Sequence, residues 1–217
     1  MIKNIIFDFD GTIGDSTALI VQCFQDTLSE LNLRVCTAQE CRETIGLPLR
    51  AAFVQLAGVD KDMQEQCVVT YEKVFRRNNK PGSVPPFEHV IDTIHELARR
   101  EIQMTIATSR RSWSAKALLE EMELIDFMPY ILGADEVLNH KPHPEPVLKT
   151  LEEQHFKPEE TIVVGDTWFD IEMGKRAGVR TVGVTFGNGT KESLEQAGAT
   201  WIIDDFALLL DIIDKEA

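Results

Sequence analysis

The chain has 217 residues, 43% of them hydrophobic and 27% charged, with a formal net charge of −14. That is long and apolar enough for one large domain, or one domain with a smaller insert, and excludes a disordered chain. The acidic balance argues against nucleic acid or an anionic membrane as the main partner, because phosphate backbones select basic faces. Phosphorylated small molecules stay open, since a bound cation inverts the local field.

Residues 3–8 read as a first strand. Asp15 or Ser16 is placed to cap the next helix, with Ile20, Phe24, Leu28 and Leu31 on one face. From there to about residue 80 the pattern is helical, with breaks at Gly46-Leu47-Pro48 and at Gly58. The run from Asn78 to Pro86 is dense in turn residues and reads as a linker. Strands and helices then alternate: a helix with its stripe at Val90, Ile94 and Leu97, a strand at 102–106, a helix at 113–123, and a short strand at Ile131-Leu132. A helix follows Pro144, a strand covers 161–165, and a helix runs to Ala177 and stops at Gly178. A strand at 181–184, a helix ending at Ala197-Gly198, a strand at 201–203 and a helix at 205–214 complete the chain.

This alternation predicts an α/β fold, a three-layer Rossmann-like parallel sheet with helices on both faces. Residues 1–15 and 81–217 form the core, and residues 16–80 form a helical insert after the first strand. The N-terminus enters a strand at once and shows no leader pattern, and no apolar run approaches the ~18 residues of a membrane helix. A cytoplasmic setting follows as an expectation. Cys23, Cys36, Cys41 and Cys67 match no zinc spacing and are expected to be free thiols.

The chemistry gathers at strand ends. Ile5, Ile6 and Phe7 are followed by Asp8, Phe9, Asp10, Gly11 and Thr12. Two close carboxylates repel each other unless a cation or proton lies between them. The economical reading is a divalent-metal site at the carboxyl end of a strand, where open α/β sheets bind their ligands. Other strand ends offer Thr108 and Ser109, then Asn139-His140-Lys141-Pro142, then Gly165-Asp166-Thr167 with Asp170 one turn on.

In order and spacing, Asp8-Phe9-Asp10-Gly11-Thr12, Thr108-Ser109, Lys141-Pro142 and Gly165-Asp166 with Asp170 resemble the haloacid dehalogenase superfamily of phosphohydrolases. The resemblance covers essentially the whole chain. Leu132 to Val184, and Ile45-Gly46-Leu47-Pro48-Leu49 in the insert, look like the phosphoglycolate phosphatase branch. The resemblance implies a magnesium-dependent phosphatase acting on a small phosphorylated metabolite, with phosphoglycolate as leading substrate. Asp8 would attack phosphorus, and Asp10 would serve as general acid and then general base. Mg²⁺ would be held by the side chains of Asp8 and Asp166 and the backbone carbonyl of Asp10, with Asp170 in support. Thr108, Ser109 and the amides after Asp10, including Gly11, would bind phosphoryl oxygens, and Lys141 would neutralise charge. The insert would act as a cap that excludes water and helps choose the leaving group, with Arg42 and Arg50 as candidate substrate contacts.

Inorganic pyrophosphatase and sugar phosphomutase are alternatives on the same scaffold. A phosphorylation switch is a rival of another class, which the long insert and the Gly165-Asp166…Asp170 pattern disfavour. Taken alone, Asp10 reads as a turn residue, Thr108 as a helix cap and Lys141 as a solvated surface lysine. The Gly187-Asn188-Gly189 run lacks the rest of a phosphate loop and reads as a turn. Trp113 is expected to pack, and Trp168 either to pack or to line the mouth of the site. Arg110 and Arg111 depart from the common family pattern, as does His89 where a glycine is frequent. The extra arginine charge bears on the substrate rather than the reaction.

Overall fold

A computed structural model describes residues 1–216. Two compact units emerge, one of residues 1–15 with 86–217 and one of residues 16–85.

In the helical unit, α1 spans Thr17–Glu30, α2 Ala38–Arg42, α3 Leu49–Ala57 and α4 Lys61–Asn78. Local chemistry sets the boundaries. Thr37 and Glu40 form a reciprocal capping box that starts α2, and Asp60 Oδ1 accepts from Met63 N at 2.9 Å to start α4. Gly58 ends α3 with φ 61°, the left-handed conformation that glycine adopts most readily. Ile20, Phe24 and Leu28 are buried as the stripe predicts, whereas Leu31, one residue past the end of α1, is half-buried. Phe24, Phe53 and Tyr71 make the unit's aromatic core, with ring centroids 5.1–6.1 Å apart. All four cysteines are free and buried.

The other unit holds β1 Asn4–Phe7, α5 Val90–Arg99, β2 Gln103–Ala107, α6 Ser112–Glu121, β3 Ile131–Leu132, α7 Glu145–Glu153, β4 Thr161–Gly165, α8 Trp168–Arg176, β5 Arg180–Val184, α9 Lys191–Ala197, β6 Trp201–Ile203 and α10 Leu208–Lys215. The six strands form one parallel sheet in the order β3-β2-β1-β4-β5-β6. Parallel strands covered on both faces need continuous apolar runs, and Ile5, Ile6 and Phe7 are each 0% exposed. Ile6 joins Val147 and Leu151 of α7, Val163 of β4 and Met173 of α8 in one face's core. Phe7 stacks on Phe206 at 5.7 Å on the other face, where α5 and α10 pack. The last helix starts at Leu208 instead of 205, because Asp205 Oδ1 accepts from Ala207 N at 2.8 Å and holds a turn there.

Candidate active site

The chain leaves β1 for one side of the sheet and returns at β4 on the other, so the strand order reverses between β1 and β4. Open α/β sheets bind ligands outside the carboxyl ends of such a strand pair. Asp8 N–H extends the ladder to Val164 O at 2.9 Å, which sets Asp8 just past β1. Asp166 stands one residue past β4, and Asp170 lies in the first turn of α8. Each of the three offers a carboxylate oxygen, and these oxygens lie within 4.8 Å of one another. Asp8 is 4% exposed, and Asp166 and Asp170 are 0% exposed.

Lys141 is the cation within this group. Its Nζ lies 2.6 Å from Asp170 Oδ1 and 2.8 Å from Asp8 Oδ1. The second contact is an ion pair by its distance, although Asp8 Oδ1 accepts no directed hydrogen bond. Burial works against the charged form of Lys141, but Asp170 and Asp8 outweigh it and hold the ammonium above its ordinary range. Three buried carboxylates against one ammonium leave excess negative charge. Asp8 is accordingly pushed up to about 7, by burial first and by Asp170 and Asp10 besides, with Lys141 opposing. Asp166 is raised well above the carboxylate range by burial, Asp170 and Asp8, against the pull of Asn188.

A divalent cation fits this group. Asp166 Oδ1 is buried with no hydrogen-bond partner, and buried polar atoms are seldom left so. The donors are all hard oxygens, the set that Mg²⁺ prefers. Asp170 is more committed: Oδ1 accepts from Lys141, and Oδ2 accepts from Thr167 N at 3.0 Å and Thr167 Oγ1 at 2.7 Å. It therefore caps α8 and orients Lys141 as well as facing the triad.

The surroundings hold Asp166 in place. Its Oδ2 accepts from Asn188 N at 2.7 Å and Asn188 Nδ2 at 3.0 Å. Gly11 has φ +84°, and a Cβ there would run into the Asp166 carboxylate and come within 2.6 Å of Asn188 Nδ2. The Gly187-Asn188-Gly189 run, expected as a turn, is a bend that leads into α9, and it also supplies the clamp on a candidate metal ligand. Sequence reasoning missed Asn188, since glycine-flanked asparagine reads first as turn chemistry.

Asp10 stands apart from the triad. Its Oδ1 accepts from Arg110 Nη2 at 2.6 Å and its Oδ2 from Arg110 Nε at 3.0 Å. Arg110 follows β2 and is only 8% exposed along its side chain. Its Nη1 donates to Ser114 Oγ at 3.0 Å, and the guanidinium carbon lies 5.7 Å from the centre of the Phe9 ring. Thr108 is buried at the end of β2, where its Oγ1 accepts from Arg110 N at 3.2 Å; Ser109, next in the chain, is half-buried. The fork on Asp10 was not foreseen from sequence, although Arg110 itself was noted as a departure.

Arg42 and Arg50 belong to the helical unit. Both are exposed, and Arg50 pairs with Glu65 at 2.6 Å. Trp113, expected to pack, is instead 42% exposed, because α6 buries Ala115, Leu118 and Leu119 on its other side. Trp168 is 43% exposed and stacks partly on Phe169.

Residues 5–184 match the family described as haloacid dehalogenase-like hydrolase. The chain belongs to this family. The probable phosphatase IndB of Dickeya dadantii is 36% identical over 208 residues, covering 94% of this chain and 90% of that protein. The pyrophosphatase PpaX of Anoxybacillus flavithermus is 31% identical over 212 residues, covering 98% and 97%. The solved structure of a haloacid dehalogenase-like family hydrolase from Streptococcus pneumoniae superposes with TM-score 0.85 at 25% identity, covering 100% of this chain and 99% of that one. The haloacid dehalogenase membership expected from the strand-end motifs thus holds.

Proposed function

We propose that this chain hydrolyses a small phosphorylated metabolite in two steps, through an aspartyl-phosphate on Asp8, with Mg²⁺ as cofactor. The observation that carries the reading is the buried triad of Asp8, Asp166 and Asp170 around Lys141, with an oxygen of Asp166 left unpartnered. The side chains of Asp8 and Asp166 and the backbone carbonyl of Asp10 would hold the ion, supported by Asp170. When bound, the ion offsets the negative charge of nucleophile and phosphate.

An Asp8 carboxylate oxygen forms a bond to phosphorus as the bond from phosphorus to the leaving oxygen breaks. Asp10 gives its proton to that oxygen. Asp10 then takes a proton from water, the water oxygen bonds to phosphorus, and the bond from phosphorus to Asp8 breaks. Phosphate is released and both carboxyls return to their starting state. Thr108 and Ser109 bind the phosphoryl oxygens, and Lys141 holds Asp8 and balances its charge; the Gly11 N–H, expected to join them, instead donates to Gly14 O at 3.0 Å.

Phosphoglycolate is the substrate suggested by the likeness of Ile45–Leu49 and of Leu132–Val184 to that branch. A second reading is pyrophosphate, favoured by the nearly full-length relative named as a pyrophosphatase. Residues 16–85 act in this reading as the cap, with Arg42 and Arg50 as substrate contacts. A cytoplasmic setting fits four free cysteines. No helix among the described residues is long and apolar enough to cross a membrane.

The test is phosphate release from a panel of small phosphate esters and pyrophosphate, with Mg²⁺ or with chelator, for the native chain and for Asp8→Ala. Metal-dependent release by the native chain alone supports the mechanism. Appreciable metal-dependent release by Asp8→Ala sinks it.

A further inference from the structure

The hydrolytic scheme leaves Arg110 without a task, yet this is a built arrangement. The guanidinium is nearly buried, spans both oxygens of Asp10, and is braced by Ser114 and the Phe9 ring. A guanidinium fork matches a carboxylate or a phosphate, two N–H groups to two oxygens. Asp10 must turn an oxygen toward the leaving group to act, and a fork across both oxygens opposes that turn. Because Asp10 works at the leaving oxygen, its guanidinium partner stands one carboxylate away from the leaving group.

We propose that Arg110 determines specificity by exchanging Asp10 for a second anionic group, a carboxylate or phosphate, carried on the leaving part of the substrate. One anion leaves the fork as another enters, and the freed Asp10 takes a proton from water before giving it to the leaving oxygen. Lys141 is unsuited to this role, because Asp8 and Asp170 already hold it. A neutral leaving group, such as a polyol, must break the Arg110–Asp10 pair without replacing it. The substrate class is therefore phosphate compounds whose leaving group bears its own negative charge. This inference rests on the phosphohydrolase reading above.

The experiment compares kcat and KM for phosphoglycolate and for 2-hydroxyethyl phosphate, in which a hydroxymethyl group replaces the carboxylate. Pyrophosphate and methyl phosphate form a second anionic and neutral pair. All four are assayed with Mg²⁺ in the native chain, Arg110→Gln, Arg110→Lys and Asp8→Ala. In at least one pair the native chain is expected to favour the anionic member by about tenfold or more in kcat/KM, the scale of a charge-assisted hydrogen bond. Arg110→Gln is expected to collapse that ratio by raising KM for the anionic member, while kcat/KM for the neutral member rises, since its turnover no longer breaks the Arg110–Asp10 pair. A merely structural role for Arg110 would lower both members together. That result, an unchanged ratio, or a native chain with no preference in either pair overturns the role of Arg110. If Arg110→Gln does not fold, Arg110→Lys decides, since it keeps the charge but not the fork and should also lower the ratio. Asp8→Ala should be silent on every substrate. Turnover by Asp8→Ala, or none by the native chain, overturns the phosphohydrolase reading and the inference with it, whereas turnover without discrimination overturns the inference alone.

Discussion

Asn188 reaches Asp166 twice, through its main-chain N–H at 2.7 Å and its side-chain amide at 3.0 Å, both on Oδ2. One oxygen of Asp166 is thereby fixed, and the other is buried with no hydrogen-bond partner. Outer groups that orient a metal-ligating carboxylate are commonly worth ten- to a hundredfold in metal affinity. Asn188→Ala keeps the main-chain bond and loses the side-chain bond. It should fold normally and weaken Mg²⁺ binding about tenfold. Calorimetric titration of the ion checks this, and unchanged affinity would remove Asn188 from the site.

Lys141 is held between two buried carboxylates, and all three side chains are at most 4% exposed. Removing one member of a buried ion group leaves the other charges uncompensated, at a cost of about 3–5 kcal/mol. Lys141→Met should destabilise the metal-free protein by about that much, read from urea unfolding. Added Mg²⁺ should recover part of the loss. A loss below about 1 kcal/mol would show that the carboxylates shed their charge instead.

The raised carboxyls give stability a pH dependence of definite sign. Asp8 is pushed up to about 7 in the folded chain from an ordinary value of 3.8, and Asp166 is shifted the same way. Such groups bind protons more tightly when folded. Their contribution is fully present below about pH 4 and is lost as pH rises through about 7. Mg²⁺ competes with those protons, so its stabilising effect should be larger at pH 8 than at pH 6. Thermal melts at both pH values, with and without the ion, check this. An equal gain at both would mean that no carboxyl titrates in that window.

Gly11 offers a sharper substitution. Its φ of +84° disfavours any side chain, and a Cβ would run into Asp166. Gly11→Ala should lower stability by about 1–3 kcal/mol and displace Asp166, so that Mg²⁺ affinity falls as well. Denaturant unfolding and metal titration measure the two effects separately, and retained affinity would show that the carboxylate moves aside without consequence.

The sheet was legible because buried parallel strands have little choice of composition. Ile5-Ile6-Phe7 and Ile162-Val163-Val164 admit no alternation; Asp8 follows the first at once and Asp166 follows the second after Gly165, and no core requires either aspartate. Asp8, Asp166, Asp170 and Lys141 could therefore be grouped from sequence, and the fold brings their side chains together. The partners that orient the site were less visible. Asn188 lies 22 residues from Asp166, and Arg110 lies 100 from Asp10, with no periodicity linking either pair. Their roles come from tertiary approach alone. Trp113 misled for the opposite reason: its size suggests burial, but α6 turns another face inward.

The central position of β1 also has a consequence for how the chain is made. It leaves the ribosome before the other five strands of its sheet, yet it pairs with β2, about a hundred residues later, and with β4, where Asn4 meets Thr161. Until β4 has emerged, one edge of β1 has no mate and Asp8 has no Asp166 opposite it. Contacts so distant in sequence form slowly and leave strand edges exposed in the meantime. A nascent chain stalled before residue 161 would therefore carry the proposed nucleophile without the second carboxylate that completes its proposed cation site, and catalytic competence would wait for β4 and the turn into α8.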